Sequence, residues 1–178
     1  MDNYDLIITR RSIRKYKDSR LDDGLLKKII RAGCYAPSAM KKFPWRFIII
    51  DDRKILDGLT EVHPSSKMLR HTHQAILVCG DLNEAHTQEY MMLDLSAAVQ
   101  NILLAAHAEN VGSCWLGIYP RDNRMEYLSK ACALPENIMP FAVISLGFPD
   151  EDPGTPERFD ESLVHYNQWQ DKGKHIGD

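Results

Sequence analysis

Arg10-Arg11-Ser12-Ile13-Arg14-Lys15-Tyr16 is the stretch around which the chain is organised. Three guanidinium groups and a hydroxyl fall within its first five residues. A guanidinium offers a flat fork of donors that matches phosphate oxygens in pairs, and a serine hydroxyl adds a small donor that can sit close to the same oxygens. Upstream lies the short apolar run Tyr4-Asp5-Leu6-Ile7-Ile8. It reads as a helix over residues 3–9, with Asp2 or Asn3 as cap. The arginines therefore stand at the end of a rigid element, where they can be aimed. Taken alone, the stretch reads either as a phosphate clamp or as a solvated basic loop.

Charge distribution bears on that choice. The chain of 178 residues carries a net charge of −3, against a general nucleic-acid binder. Yet six basic residues and one acid fall between Arg10 and Arg20, while the segment from Asp150 to Glu161 is acidic. A local basic site on an acidic body suits a small anionic ligand better than a polyanion. The length predicts one domain, 1–178, with a substantial core. No apolar run approaches the ~20 residues that span a bilayer. The N-terminus lacks a basic segment followed by an apolar one, so a soluble, cytoplasmic protein with no membrane partner is expected. Cys34, Cys79, Cys114 and Cys132 are far apart. They read as buried free thiols rather than a metal site or disulfide framework. His71 and His73 have no partners at ligand spacing, so no metal is expected.

Downstream, Asp22 or Asp23 starts a second helix with Leu25, Leu26, Ile29, Ile30 and Gly33 on one face, ending before Ala36-Pro37. A loop bounded by Pro37 and Pro44 leads to the strand Arg46–Ile50, apolar enough to be buried on both faces. A short helix with Ile55, Leu56 and Leu59 inward follows, then an irregular or briefly helical segment at 63–69. Ala75–Gly80 is a second buried strand. The longest helix runs from about Glu84 to Glu109, and from Leu93 to Ala108 it is apolar nearly all round. Such a helix is buried on all sides, either with a second subunit covering part of it or as the central helix of a monomer. Gly112 suits the left-handed position after that helix. Ser113–Tyr119 is a third strand, interrupted by Gly117, and a glycine there marks close approach of a ligand or another backbone. A helix at 122–132, with Met125, Leu128 and Ala131 inward, precedes the strand Phe141–Gly147. Beyond it, Phe148 to Arg158 holds three prolines and four acids and cannot be a helix. Phe159, Leu163, Val164, Tyr166 and Trp169 then return. The segment 148–178 reads as an extended arm that packs on a partner subunit.

In this order the stretches resemble the flavin-dependent nitroreductase family over nearly the whole chain. The residues at 10–16 resemble its N-terminal phosphate motif. Ala36-Pro37-Ser38-Ala39 with Pro44-Trp45 resembles its flavin loop, and Ala75 to Asp81 its second strand. Ser96-Ala97-Ala98-Val99-Gln100-Asn101 resembles its central dimer helix, and Gly112-Ser113-Cys114-Trp115-Leu116-Gly117 the strand beside the flavin ring. Gly147-Phe148-Pro149, Arg158-Phe159 and His165-Tyr166-Asn167-Gln168-Trp169 resemble the tail of its short members.

The resemblance implies an α+β fold with a central mixed β-sheet flanked by helices. It implies an intertwined homodimer with an FMN at each of two interface sites. NAD(P)H would reduce the flavin and leave, and a nitroaromatic, quinone or similar electron-poor compound would take the electrons. Arg10, Arg11, Ser12 and Arg14 would hold the phosphate and ribityl chain, and Arg158 would return from the tail to the phosphate. Pro37, Ser38 and Ala39 would contact a ring bound mainly by the other subunit. Trp115, Leu116 and Gly117 would flank the ring, with backbone N–H groups near its N5 edge. The flavin carries the chemistry, so no catalytic side chain is assigned.

Lys41 and Phe43 stand where many relatives have Asn and Gln. Lys41 is placed near the pyrimidine edge, where it would stabilise the reduced flavin, with Lys67 as a second candidate. An FMN-binding sensor or electron store without fast turnover is the alternative reading. A nucleic-acid or acidic-partner module using residues 10–20 is a third, disfavoured because the stretch lacks interleaved aromatics.

Overall fold

The structure, a computed structural model, describes residues 2–169. Aspartates and a threonine set where four of its α-helices begin. Asp2 accepts from the N–H groups of Tyr4 and Asp5 and starts α1 (Asn3–Thr9), and Asp22 accepts from Leu25 N and starts α2 (Asp23–Gly33). After β1 (Trp45–Ile50), Asp52 caps α3 (Arg53–Val62). After β2 (Gln74–Asp81), Thr87 caps α4 (Gln88–Ala108). Then come β3 (Gly112–Gly117), α5 (Asp122–Ala131) and β4 (Ile138–Gly147). Each cap supplies an acceptor to a first-turn N–H that has no partner inside the helix.

The strands form one sheet in the order β1-β2-β4-β3. The class is α+β, as expected, but the sheet is antiparallel throughout rather than mixed. The reason is topological. β2 and β3 run the same way, and β4 is inserted between them. Parallel pairing survives in an isolated bridge between Ser12 and Ser113.

Alternation along the strands divides the interior into two cores. Ile76, Val78, Ile144 and Leu146 pack under α2 and α4. Ala75, Leu77, Leu116 and Val143 point the other way, toward α3 and α5. β2 is buried along its whole length, as its apolar run predicts. β1 departs from expectation: it is an edge strand, with Arg46 and Ile49 exposed, so it is not buried on both faces.

α4 crosses the first core with Met91, Leu95, Ala98, Val99 and Ile102 fully buried. Its other side is open, with Leu93 65% and Tyr90 48% exposed. This helix of 21 residues, whose most apolar 18-residue window has a mean hydropathy of 1.2, is long and apolar enough to cross a membrane by length and composition only. Within the chain it packs on α2 and the sheet. The left-handed residue after α4 is Asn110 (φ 56), not Gly112. Gly112 instead opens β3, where a Cβ would meet the Ile13 side chain at 2.8 Å. All four cysteines are free, but Cys34 is exposed and Cys132 half-buried, so only Cys79 and Cys114 are buried thiols.

After Gly147 the chain runs back beside the basic stretch. Lys17 N donates to Phe148 O, and Asp150 N donates to Lys15 O, each at 2.9 Å. Residues 152–160 are exposed and without helix or strand, and a short 3-10 turn follows at Glu161–Leu163. Residues 170–178 of the expected arm lie outside the described residues.

Candidate functional site

Residues 12–16 lie along the rim of the sheet and are tied to it from both sides. Ile13 N donates to Ser113 O at 3.0 Å. The Tyr16 hydroxyl donates to Ile13 O at 2.5 Å and contacts Ser145 Oγ at 2.7 Å, beneath the stretch. Burial pushes the Tyr16 phenol well above its ordinary pKa, so it stays protonated. The Glu151 carboxylate accepts from the backbone N–H groups of Arg14 and Lys15 at 2.5 and 3.1 Å. A backbone held on both sides presents its side chains in fixed directions.

Those side chains meet the arm. Arg10, Arg11, Ser12, Arg14 and Arg158 line one cavity of about 360 Å³, with Pro153 and Pro156 completing the wall. Arg158 is brought from the far end of the chain to the same cavity as the basic stretch. Burial pushes the Arg10 pKa down, and the Arg11 and Arg158 charges push it further. Like charges this close disfavour one another until an anion offsets them. Among the described residues, Arg11 Nη2 is buried without a hydrogen-bond partner. A buried unpaired donor costs free energy.

A larger neighbouring depression of about 630 Å³ also holds basic groups. Its charges are largely paired: Arg70 to Glu61 at 2.8 Å, His73 to Asp18 at 2.7 Å, Arg53 to Asp57 at 3.1 Å. It makes a weaker claim on an anion.

On β3, Trp115 is 37% exposed and its ring lies against Phe141, centroids 5.9 Å apart. Leu116 turns its side chain into the second core, so it can offer only backbone outward. A Cβ at Gly117 would meet no protein atom within 4 Å, leaving that edge of the sheet open. The Gly117 carbonyl accepts from Arg124 Nη1 at 2.7 Å. Behind it sits His63, buried, with neither ring nitrogen hydrogen-bonded among the described residues. Burial, then the Arg124 charge, pushes its pKa down. Arg124 and His63 carried no signal in the sequence, because a helix arginine and a post-helix histidine are common.

The loop between α2 and β1 is built differently. Ser38 Oγ donates to Asp94 Oδ2, and Ala39 N donates to Asp94 Oδ1. Phe43 N donates back to Ser38 Oγ at 2.9 Å. Asp94 is the residue that reasoning from sequence missed, although an acid inside an apolar helix was a visible clue. Pro37, Ser38, Ala39 and Lys41 do not line the arginine cavity, so one chain does not bring the two groups together. Lys41 and Lys67 are both exposed. Among the described residues no group of three His, Cys, Asp or Glu side chains could hold a metal ion.

Comparison with known proteins places this arrangement. A model of the nitroreductase family matches residues 7–78 and 64–148. A Methanothermobacter thermautotrophicus protein, provisionally named NADH dehydrogenase/NAD(P)H nitroreductase, is 41% identical over 169 residues, 95% of this chain and 88% of the relative. A crystal structure of a Parabacteroides distasonis protein with the same provisional name superposes with a TM-score of 0.89 at 41% identity, covering 93% of this chain and 98% of that one. A provisionally named nitroreductase from Desulfovibrio desulfuricans, solved in complex with FMN, gives 0.82 at 30% identity, covering 96% and 100%.

Proposed function

The chain belongs to the nitroreductase family, and from that premise we propose an FMN-dependent oxidoreductase that draws electrons from NAD(P)H. It passes them to nitroaromatics, quinones or similar electron-poor compounds in a ping-pong cycle. The observation that carries this reading is the cavity where four guanidinium groups crowd together, one of them with a buried donor unspent. FMN, when bound, supplies acceptance of a hydride and its release as electrons.

This chain's own residues bind and orient. Arg10, Ser12, Arg14 and Arg158 hold the phosphate end by charge-assisted hydrogen bonds, and Arg11 adds its positive charge beside them. The open edge at Gly117 and the Trp115 face flank a flat ring, and Leu116 contributes backbone. No side chain is assigned as acid, base or nucleophile.

A homodimer completes the site. Pro37, Ser38, Ala39 and Lys41 come to it from the partner subunit, which accounts for their distance from the arginines on one chain. Exposed apolar side chains on α1 (Tyr4, Ile7), on α4 (Leu93) and along the arm (Phe159, Leu163, Trp169) supply surface for the pairing. Residues 1–178 form one soluble, cytoplasmic domain whose arm lies on the partner.

The visible absorption spectrum of the purified protein tests the reading. A two-peaked flavin spectrum that bleaches with NADH or NADPH and recovers with a quinone or nitroaromatic is expected. Flavin peaks that neither reductant bleaches would replace the enzyme with an FMN-binding sensor or electron store. A colourless protein that takes up no added FMN would overturn the proposal.

A further inference from the structure

We infer that Arg11 is a positioning residue: it latches the C-terminal arm to the end of α1, and so couples docking of the arm to occupation of the phosphate cavity. The ligand's identity rests on the function proposed above, whereas the latch itself does not.

Arg11 belongs to the arginine cluster, but its fork is mostly spent elsewhere. Nε donates to Gly154 O at 2.9 Å. Nη1 donates to Ile8 O at 3.0 Å and to Arg10 O at 2.7 Å. These carbonyls belong to the end of α1, the basic stretch and the arm. One rigid planar group thus ties the arm to the end of α1 and the start of the basic stretch. A lysine cannot do this, because its ammonium is a point on a flexible stem and not a fixed fork.

The arm is shaped to receive this contact. Gly154 adopts φ +68, and its N–H donates to Asp152 Oδ1 at 2.9 Å. That turn, set between Pro153 and Pro156, aims the Gly154 carbonyl back at Arg11. Before it, Glu151 is fastened to the N–H groups of Arg14 and Lys15. Among the described residues, the Arg11–Gly154 bond is the one that ties the arm to the body between Glu151 and Arg158. Residues 152–160 are exposed and bury no side chain of their own. Whether Arg158 stays at the cavity therefore depends on Arg11.

Charge supplies the coupling. Docking the arm brings the Arg158 charge into the cavity lined by Arg10, Arg11 and Arg14, and Arg10 feels its repulsion. A phosphate in the cavity turns that repulsion into attraction. Whatever phosphate gains from a docked arm, the arm gains from bound phosphate, since coupling between two equilibria is reciprocal.

The test uses the full chain with Arg11→Ala, Arg11→Lys, Arg158→Ala, Gly154→Ala and the double variant Arg11→Ala/Arg158→Ala. Gly154→Ala puts a side chain on a left-handed residue with no neighbour within 4 Å, so it perturbs the turn without touching the core. Amide exchange over residues 150–160 is read without ligand and with FMN, and FMN affinity is titrated. Without ligand, Arg11→Ala, Arg11→Lys and Gly154→Ala should all speed exchange of the arm. Arg158→Ala should weaken FMN roughly tenfold or more in the wild-type background, the size of a lost charge-assisted bond. In the Arg11→Ala background its effect should shrink to less than about threefold, a coupling of neighbouring groups.

Additive losses, or full rescue of FMN affinity and arm protection by Arg11→Lys, would make Arg11 a plain phosphate ligand and overturn the inference. Unchanged arm exchange in both Arg11→Ala and Gly154→Ala would do the same. A wild-type chain that binds no FMN would defeat the proposed function, while exchange in the ligand-free variants would still decide the latch.

Discussion

The carboxylate of Asp94, buried in the second turn of α4, accepts one hydrogen bond from the Ser38 hydroxyl at 2.8 Å and a second from the Ala39 N–H at 3.0 Å. The loop it fixes holds Met40, Lys41 and Phe43 in left-handed conformations, φ 53, 55 and 50. Each such residue costs roughly 1–2 kcal/mol. Asp94→Ala would leave the Ser38 hydroxyl and Ala39 N–H without their acceptor and should cost about 2 kcal/mol or more. Asp94→Asn, which keeps one acceptor, should cost less. Urea unfolding curves measure both, and equal stability of Asp94→Ala and wild type would remove this role.

Arg10 should contribute through the phosphate of a flavin and not through its ring. Arg10→Gln is expected to weaken FMN by about tenfold or more, the size of a lost charge-assisted bond, and to leave riboflavin affinity unchanged. Quenching of flavin fluorescence on titration reports both. An equal loss for the two ligands would mean that Arg10 shapes the site generally.

Lys41→Met should lower the midpoint potential of bound FMN, because a cation near the pyrimidine edge favours the reduced, anionic form. Spectroelectrochemical titration of the two proteins decides it. An unchanged potential would return Lys41 to the surface, where a single chain displays it.

His63 ties stability to pH. Burial and Arg124 lower its pKa in the folded chain from the usual 6.5. As pH falls below about 6.5 the unfolded chain takes up that proton before the folded one does, so stability drops as pH falls toward the lowered folded value. Burial and then Arg10 and Arg11 lower His107 as well, with the same sign. His63→Phe should therefore flatten the stability profile between about pH 7 and 5. Denaturant midpoints at several pH values test this, and parallel profiles would count against it.

Much of this molecule was legible before its structure. The apolar runs at 75–80 and 141–147 became the two central strands, because a strand with a neighbour on each side needs apolar residues on both faces. The run at 46–50 carries the same signal yet lies at an edge, since position in a sheet depends on the order of strands and not on any one strand. Gly112 and Asn110 both tolerate a left-handed backbone; Asn110 takes it, and Gly112 is needed instead where Ile13, almost a hundred residues away, packs against β3. The arginine cavity was visible as a local cluster. Asp94 acts on Ser38 across 56 positions of sequence, a separation that no local pattern encodes.

The insertion of β4 between β2 and β3 has a consequence for how the protein is made. The strand that completes the sheet is the last one to leave the ribosome. Until residue 147 has emerged, β2 lacks a neighbour along one side, β3 has no strand to pair with, and both cores stay open. The arginines at 10–14 must wait longer still, for the segment at 150–158 that forms the opposite wall of their cavity. Pairings so distant in the chain form slowly, so a nascent chain halted before this point would expose interior surface and have no complete phosphate pocket.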